Sequence, residues 1–232
     1  MKKQENEKEK QVVVKKKFKL VKFLIVLLML YIVGFFIYKL FVAKINNIYI
    51  SNNINLTDQE VIDISGLRDY PSFLFTTKST IKNRLLKHDL IKGVKVKKKI
   101  WGIIEIEVDE NEPLFIYKKT EKVILENTKQ MDNNNYILPT ITNEIEEDML
   151  NKLVEKYKDI DNEIKLLISE IEYVPNDIDK ERFIFTMNDG NYIYITLYKI
   201  LSINEYIKIL PNLENKKGIL YLDSGNYFEI LK

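Results

Sequence analysis

The chain has 232 residues, with 36 Lys and Arg against 34 Asp and Glu, no Cys and a single His, His88. Without Cys there is no disulfide framework, thiol chemistry or Cys-ligated zinc, and one His with no visible base or ligand partner nearly excludes Ser-His-Asp or Cys-His catalysis and multi-His metal sites. The net charge of +2 divides into +6 on residues 1–22 and −5 on residues 44–232, with Lys39 between them, so nothing here favours nucleic-acid binding.

One apolar run dominates the N-terminal part of the chain, at residues 20–43. Between Phe23 and Tyr38 it contains no charged or strongly polar side chain. A helix of that length extends about 36 Å, more than the roughly 30 Å hydrocarbon core of a bilayer. A cleaved signal peptide has a shorter apolar region and a small residue where Phe41 stands, and a buried core helix has a polar stripe. The run therefore predicts an uncleaved transmembrane helix.

The lysines before this helix predict its orientation. Residues 1–19 are polar and charged, and we expect them to form a disordered cytoplasmic tail. The positive-inside rule places the N-terminus in the cytoplasm and residues 44–232 outside. The lysines that determine this topology are Lys15, Lys16, Lys17, Lys19 and Lys22.

Residues 44–116 are predicted to fold as a unit that begins with a strand and a helix. Residues 48–50 alternate in polarity, as in a short strand. Thr57 and Glu60 have the spacing of a capping box at the start of the helix. Gly66 has the place of the glycine that ends a helix in a left-handed conformation.

A second helix and two strands complete this unit. The helix is expected over residues 77–88, from its apolar spacing. Valines alternate with lysines over residues 94–97, and apolar residues alternate with acids over residues 104–109. A turn near Trp101 and Gly102 would join these two strands, so the predicted order is β-α-α-β-β.

The two strands carry opposite charges on one face. Antiparallel pairing through that turn places Lys97 opposite Glu105 and Lys95 opposite Glu107. Two neighbouring glutamates could be taken for the carboxylate pair of a glycosidase. Facing lysines on an open sheet favour solvated ion pairs instead.

The order of these elements after a membrane helix resembles a known family. Residues 91–98 fit the POTRA pattern I-x-x-V-x-V followed by basic residues, and residues 104–113 fit I-x-I-x-V-x-E-x-x-P. A single POTRA domain after an N-in transmembrane helix, followed by a β-rich region, is similar to the FtsQ/DivIB family of bacterial cell-division proteins. The resemblance covers roughly residues 20–232, and the order of its pieces carries it.

Residues 117–232 are predicted to form a second domain that makes few contacts with the first, and their net charge is −6 against +1 for residues 44–116. Apolar spacing predicts a helix over residues 145–157, and Asp189-Gly190 is a strong hairpin signal. The fold class predicted for the chain is α+β, with an N-terminal transmembrane helix, a POTRA-like β-α-α-β-β domain and a mostly antiparallel β domain with helices.

Two further elements are expected in this second domain. A hairpin over residues 123–135 lacks a glycine in its loop, and Asn is expected to take the positive φ there. A helix is expected over residues 200–210, ended by Pro211.

The resemblance implies a bitopic cell-division protein of the septum that is not an enzyme. It implies a scaffold that binds the extracytoplasmic parts of FtsB/DivIC-type and FtsL-type membrane proteins, with no metal, cofactor or small-molecule substrate. Two alternatives remain open. A POTRA-bearing secretion or envelope-assembly component would be followed by long alternating strands of a membrane barrel, which the acidic, helix-interrupted C-terminal region argues against. A membrane-anchored extracytoplasmic enzyme needs a convergent polar cluster, and the sequence reveals none.

The last strands are the predicted partner site. Residues 218–228 resemble the terminal strands of the family, although the Asp and Arg usual in that strand are absent. We expect residues 219–222 to form a sheet edge to which a partner segment adds as another strand. The candidate contact residues are Ile219, Leu220, Tyr221, Leu222, Ser224, Gly225, Tyr227 and Phe228. The second candidate edge is Val94, Lys95, Val96 and Lys97.

Overall fold

The structure of the chain is a computed structural model that describes residues 19–213 and 216–231. Most of the predicted cytoplasmic tail lies outside the described residues, and so do three of the predicted topology lysines, Lys15, Lys16 and Lys17. The described part contains one long helix, a three-stranded sheet with two helices and a nine-stranded sheet with further helices. The predicted α+β fold class is confirmed.

The elements are named in chain order. Among the residues that the structure describes, the α-helices are α1 (Leu20–Val42), α2 (Asp58–Ser65), α3 (Lys78–Leu85), α4 (Glu147–Tyr157), α5 (Asn162–Lys165) and α6 (Tyr206–Ile209). The strands are β1 (Asn47–Ser51), β2 (Ile91–Lys99), β3 (Ile103–Glu110), β4 (Pro113–Tyr117), β5 (Lys122–Leu125), β6 (Gln130–Asp132), β7 (Thr140–Ile141), β8 (Ile168–Tyr173), β9 (Arg182–Met187), β10 (Tyr192–Thr196), β11 (Gly218–Tyr221) and β12 (Tyr227–Ile230). The 3₁₀ segments are Ile100–Gly102, Leu197–Glu205 and Leu210–Leu213.

Helix α1 is apolar on every side. Its 23 residues extend about 35 Å, and none of its side chains is buried against the rest of the chain. Within the described ranges it is the one helix that is long and apolar enough to cross a membrane. Lys22 lies in its first turn and Lys39 in its last turn, where long side chains can reach the headgroups of a bilayer.

The three-stranded sheet has the order β1-β3-β2, with β1 parallel and β2 antiparallel to β3. The core of this unit contains Val61, Ile81 and Leu85 from the two helices and Ile104 and Ile106 from β3. The predicted β-α-α-β-β order is confirmed. Apolar positions on β3 recur every second residue, which turns one face of the sheet toward α2 and α3.

Local signals begin and end α2 as predicted. The Thr57 hydroxyl accepts a hydrogen bond from the Glu60 N–H at 3.3 Å, and the Glu60 carboxylate accepts one from the Thr57 N–H at 2.8 Å. Gly66 follows the helix with a φ of 72°. The Thr77 hydroxyl likewise accepts from the Thr80 N–H at 3.1 Å at the start of α3. These bonds satisfy donors that the first turn of a helix leaves free.

The predicted register of β2 and β3 is confirmed. Lys97 lies opposite Glu105, and Lys95 lies opposite Glu107. Lys95 Nζ is 2.8 Å from a Glu107 carboxylate oxygen, and this hydrogen bond holds the pKa of Glu107 below its ordinary value. Glu105 pairs with Lys99. Glu105 and Glu107 are therefore each paired with a lysine of the neighbouring strand, as the alternation of charge predicts.

The nine-stranded sheet has the order β12-β11-β10-β9-β8-β7-β4-β5-β6. Its strand pairs are antiparallel except for β10 with β11, β7 with β8 and β4 with β7, which are parallel. The Asp189-Gly190 turn joins β9 to β10 as predicted, with Gly190 at a φ of 88° that favours glycine. Helix α4 buries Leu153, Val154 and Tyr157 against this sheet. The prediction of a mostly antiparallel β region with helices is confirmed.

Strand β5 lies between the two hydrophobic cores. Val123 and Leu125 are fully buried in the core of the three-stranded unit, whereas Ile124 between them belongs to the core of the nine-stranded sheet. Neighbouring residues of a strand point to opposite faces, so one strand can contribute to both cores. The expectation of few contacts across the predicted boundary is therefore wrong. The division into residues 44–116 and 117–232 itself stays a prediction.

Two elements differ from their predictions. The hairpin of β5 and β6 turns earlier than predicted, at residues 126–129, where Thr128 takes a positive φ of 65°. In the Asn-rich segment that follows, Asn135 takes the predicted positive φ, 67°. The segment predicted as a helix over residues 200–210 is mostly 3₁₀ helix, with α6 as its one α-helical turn. Pro211 does not end the helical segment but is the second residue of the last 3₁₀ segment. Proline is tolerated there because the N–H of a residue in the first turn has no partner within the helix.

Candidate partner-binding site

Strand β11 is not at the edge of its sheet. It lies between β10, which it pairs with in parallel, and β12, which it pairs with antiparallel. The prediction that residues 219–222 form the edge is therefore wrong, because residues 227–230 form one further strand. Among the described residues, β12 is the edge strand at this end of the sheet.

The backbone of β12 is paired on one side. The Leu231 N–H donates to the Lys217 carbonyl at 3.0 Å, and hydrogen-bonded pairs alternate with non-bonded pairs along an antiparallel ladder. The register of β11 with β12 makes Phe228 and Ile230 the non-bonded positions. Their N–H and C=O groups point away from β11, toward the open side of the sheet. An added strand would bond to these groups.

A ladder of side chains crosses four strands on one face of the sheet. The Arg182 guanidinium on β9 lies 4.1 Å from the centre of the Tyr194 ring on β10. The Tyr194 ring stacks on Tyr221 of β11 with centres 5.2 Å apart, and Tyr221 stacks on Tyr227 of β12 at 4.6 Å. Cation–π and stacking contacts are favourable, so the ladder ties the edge strand to the interior of the sheet. Tyr227, at its outer end, is exposed.

Hydrogen bonds hold this ladder at Tyr221, next to its outer end, and at Arg182, its inner end. The Tyr221 hydroxyl donates to a Glu229 carboxylate oxygen at 3.0 Å, and burial together with this carboxylate raises the pKa of Tyr221. At the other end Arg182 Nε donates to Asp223 at 2.7 Å, and the Ser224 hydroxyl donates to the same carboxylate at 2.9 Å. Burial by itself raises the pKa of Asp223, but these two hydrogen bonds outweigh it and hold that pKa below its ordinary value.

The opposite face of β11 and β12 belongs partly to the core. Leu220 and Leu222 are 3% exposed and lie in the main core, and Phe228 packs against it. Ile230 is 52% exposed. The two leucines therefore stabilise the sheet and are not on its surface. The remaining predicted contact residues are half-buried or exposed, namely Ile219, Tyr221, Ser224, Gly225 and Tyr227.

A buried hydrogen-bond network holds β11 against β10. The Gly218 N–H donates to Asn191 Oδ1 at 2.9 Å, and Asn191 Nδ2 donates to the Tyr206 hydroxyl at 2.8 Å. That hydroxyl donates to Asp189 at 2.7 Å. Burial and the Asp189 carboxylate raise the pKa of Tyr206, so the hydroxyl stays protonated and remains a donor. The network links β11 to the β9–β10 turn and to α6.

The second candidate edge is confirmed as an edge, because β2 is the last strand of the order β1-β3-β2. Val94 is buried, Val96 is half-buried, and Lys95 and Lys97 are exposed. Lysines on an edge strand are one of the features by which proteins discourage strand addition. Strand β12 contains no lysine, so it is the better candidate for strand addition by a partner.

Several residues of the site were not found from the sequence. Arg182, Tyr194 and Glu229 join the predicted residues only through cross-strand contacts, and no local pattern shows which strands are neighbours. For metal binding, no group of three or more His, Asp or Glu side chains within residues 19–213 and 216–231 could hold an ion.

Most of the chain is similar to proteins that are already known. A family model described as "POTRA domain, FtsQ-type" matches residues 43–111. The chain is 25% identical over 199 residues to the cell division protein DivIB of Bacillus subtilis (strain 168). The aligned region covers 81% of this chain and 74% of the relative. It is 27% identical over 221 residues to DivIB of Bacillus cytotoxicus, covering 90% of this chain and 83% of the relative.

A solved structure is also similar to part of the chain. It is the major extracytoplasmic domain of the trans isomer of DivIB from Geobacillus stearothermophilus, with 18% sequence identity and a TM-score of 0.38. The match covers 46% of this chain and 96% of that domain.

Proposed function

We propose that the chain is a member of the FtsQ/DivIB family of cell-division proteins, and that it is a non-enzymatic scaffold that binds other division proteins through the edge strand β12. The family resemblance drawn from the order of the elements is confirmed by the FtsQ-type POTRA match and by the DivIB relatives. Those relatives are named cell division proteins and not enzymes.

The open edge of β12 is the observation that supports this proposal. It presents unpaired backbone groups at Phe228 and Ile230, next to the aromatic ladder that ends at Tyr227. In strand addition the main-chain hydrogen bonds supply affinity, and alternate side chains supply selectivity. Exposed aromatic and aliphatic side chains beside an edge are the anchors that such an interface uses. The edge therefore has both parts of a strand-receiving site.

The proposed partners are membrane proteins of the FtsB/DivIC and FtsL type, as the family resemblance implies. We propose that α1 anchors the chain in the membrane with its N-terminus in the cytoplasm, since Lys19 and Lys22 stand at its start and no acidic residue lies in its first turn. This orientation places the nine-stranded sheet outside the cytoplasm. The extracytoplasmic segments of such partners would then meet β12 on the same side of the membrane, at the division septum.

Ile230→Pro is the sharpest test of this site. Proline removes the outward-facing N–H of Ile230, and it is tolerated on an edge strand where that N–H faces solvent. Ile230→Ala is the matched control, because it removes the same side chain and keeps the backbone donor. The full chain, purified in detergent, would be titrated with the extracytoplasmic segment of each partner type, and circular dichroism would confirm that both variants are folded.

We expect Ile230→Pro to weaken binding much more than Ile230→Ala. If both folded variants bind with the affinity of the parent chain, strand addition at β12 is wrong, and the edge strand β2 becomes the next candidate. If the two variants lose the same affinity, the side chain of Ile230 and not its backbone makes the contact.

A further inference from the structure

Two loops of the POTRA-like unit expose large apolar side chains. In the turn between β2 and β3, Ile100 is 76% exposed and Trp101 is 78% exposed. In the loop between α2 and α3, Phe75 is 65% exposed and Leu74 is also exposed. Turns in contact with water are usually built from small and polar residues. These four side chains therefore form an unusual surface, called here the apolar tip.

The backbone conformation of Trp101 is further evidence that this tryptophan has a role at the surface. Trp101 has a φ of 67°, a left-handed conformation that is unfavourable for a bulky side chain and easy for Gly or Asn. Strained conformations of this kind persist mainly where the side chain has a role. Since most of the indole is exposed, that role is not the packing of the core.

The apolar tip is tied directly to the end of α1. The Phe73 N–H donates to the carbonyl of Ala43, the first residue after the helix, at 2.9 Å. Asn46 Nδ2 donates to the Trp101 carbonyl at 2.8 Å, and the Asn46 N–H donates to the Gly102 carbonyl at 2.8 Å. The Phe41 ring on α1 lies 5.7 Å from the Phe75 ring. Both loops of the tip are thus fixed to the first residues that follow the helix.

Chain length then sets the depth of the tip. From Val42 to Asn46 the chain spans at most about 14 Å, at about 3.5 Å per residue. The headgroup layer on each side of a bilayer is roughly 5–8 Å thick. If α1 spans the membrane, the tip must lie in or directly beside this layer. Tryptophan is enriched at that depth, where its ring is apolar and its N–H can bond to water or headgroups.

Lysines surround the tip. Lys98 extends over the Phe73 ring, with its Nζ 4.2 Å from the ring centre, and donates to the carbonyls of Phe73 and Thr76. This side chain holds the Phe73–Thr76 loop in place. Two further lysines are exposed beside this loop: Lys44 forms a β-bridge with Ser72, and Lys78 is the first residue of α3. Exposed lysines beside an apolar surface favour contact with anionic phospholipid headgroups.

We propose that the apolar tip, formed by Leu74, Phe75, Ile100 and Trp101, inserts into the outer headgroup layer of the membrane that α1 spans. The POTRA-like unit then rests on the bilayer at two points, the end of α1 and the tip, and cannot rotate freely about the helix end. Such a contact sets the direction in which the nine-stranded sheet leaves the membrane. The inference rests on the proposed membrane anchoring by α1.

The test uses the single Trp of the chain, which makes its fluorescence a specific probe of residue 101. The full chain would be reconstituted into vesicles of phosphatidylcholine and phosphatidylglycerol that carry bromine at either a shallow or a deep acyl position. We expect loss of Trp101 fluorescence with the shallow quencher, little loss with the deep one, and protection from the aqueous quencher acrylamide.

A second chain, Trp101→Phe with Tyr31→Trp, reports on the anchor itself, because Tyr31 lies near the middle of α1. If this probe is quenched by the deep bromines while Trp101 responds to acrylamide alone, the anchor stands and the inference is overturned. If the Tyr31→Trp probe is not quenched by lipid, anchoring fails and the inference fails with it. If Trp101 becomes protected only when a division partner is added, the tip is a protein contact and the lipid inference is wrong.

Discussion

Replacing Asn191 by Ala tests whether the buried network positions the partner-binding edge. Asn191 is 1% exposed, and its amide makes three hydrogen bonds: one from the Gly218 N–H, one to the Tyr206 hydroxyl and one to Asp189 at 3.2 Å. The substitution removes all three. Tyr206 keeps its bond to Asp189, but the Gly218 N–H is left buried without a partner. The network links the β9–β10 turn to the start of β11 through buried side chains, so its loss acts directly on β11 and β12.

The expected cost follows from these contacts. A buried donor left without a partner costs about 1–3 kcal/mol, and the lost bond to Tyr206 contributes about 0.5–1.5 kcal/mol. We therefore expect these two losses together to lower the free energy of unfolding by about 1.5–4.5 kcal/mol. Asn188→Ala is the matched control, since Asn188 is exposed and its side chain donates a hydrogen bond to the Leu166 carbonyl at 2.8 Å. Exposed substitutions of this kind change stability by about 0.5 kcal/mol or less.

Two measurements on the detergent-solubilised chain check this prediction. Chemical denaturation gives the difference in unfolding free energy between Asn191→Ala, Asn188→Ala and the parent. Hydrogen exchange shows where protection is lost, which we expect in β11 and β12 because β12 is paired with the rest of the sheet through β11. If Asn191→Ala is no more destabilising than the control, and β11 and β12 keep their protection, the network does not hold the edge and our reasoning is refuted.

Four other outcomes can be measured on the same chain. Leu125→Ala should cost about 2–5 kcal/mol in denaturant titrations, because Leu125 is fully buried in the core shared with the POTRA-like unit; an unchanged midpoint would contradict the shared core. Val94→Asp should unfold that unit more readily than Val96→Asp, as judged by circular dichroism, because Val94 is buried and Val96 half-buried. The folded pKa of Asp223 lies below its ordinary value, so its stabilising effect is present above about pH 4 and is lost as the pH falls through the lowered pKa; Asp223→Asn should flatten the acid side of the stability curve. A C-terminal fusion should be active when the reporter enzyme works only outside the cytoplasm, and activity of a reporter that works only inside the cytoplasm would overturn the proposed topology.

The sequence predicted those features of the chain that depend on neighbours a few residues away. The capping box of Thr57 and Glu60, the left-handed Gly66 and the Asp189-Gly190 turn are all present, because each relies on hydrogen bonds or dihedral preferences within one turn. The register of β2 with β3 was predictable for a similar reason. A short turn joins the two strands, and their charges match when the strands pair through it.

The edge of the nine-stranded sheet could not be read in this way. Residues 219–222 and 227–230 both alternate in polarity, and alternation shows that a strand has two faces without showing which strand lies outermost. The ion pair of Arg182 with Asp223 joins residues 41 positions apart, and the Tyr194–Tyr221–Tyr227 stack crosses three strands. Such contacts depend on strand order, which no local pattern specifies.

By itself the sequence determined the apolar helix α1, the excess of lysines at its start, the β-α-α-β-β order and the family resemblance, since composition, periodicity and the order of elements are properties of the chain alone. Only the tertiary structure decided that β12 is the edge, that Leu220 and Leu222 are core residues, and that Val123 and Leu125 pack into the POTRA-like core. The physical reason is that a strand exposes two faces and two edges, and which of these meets a core, a neighbour or solvent is settled by segments far away in the sequence.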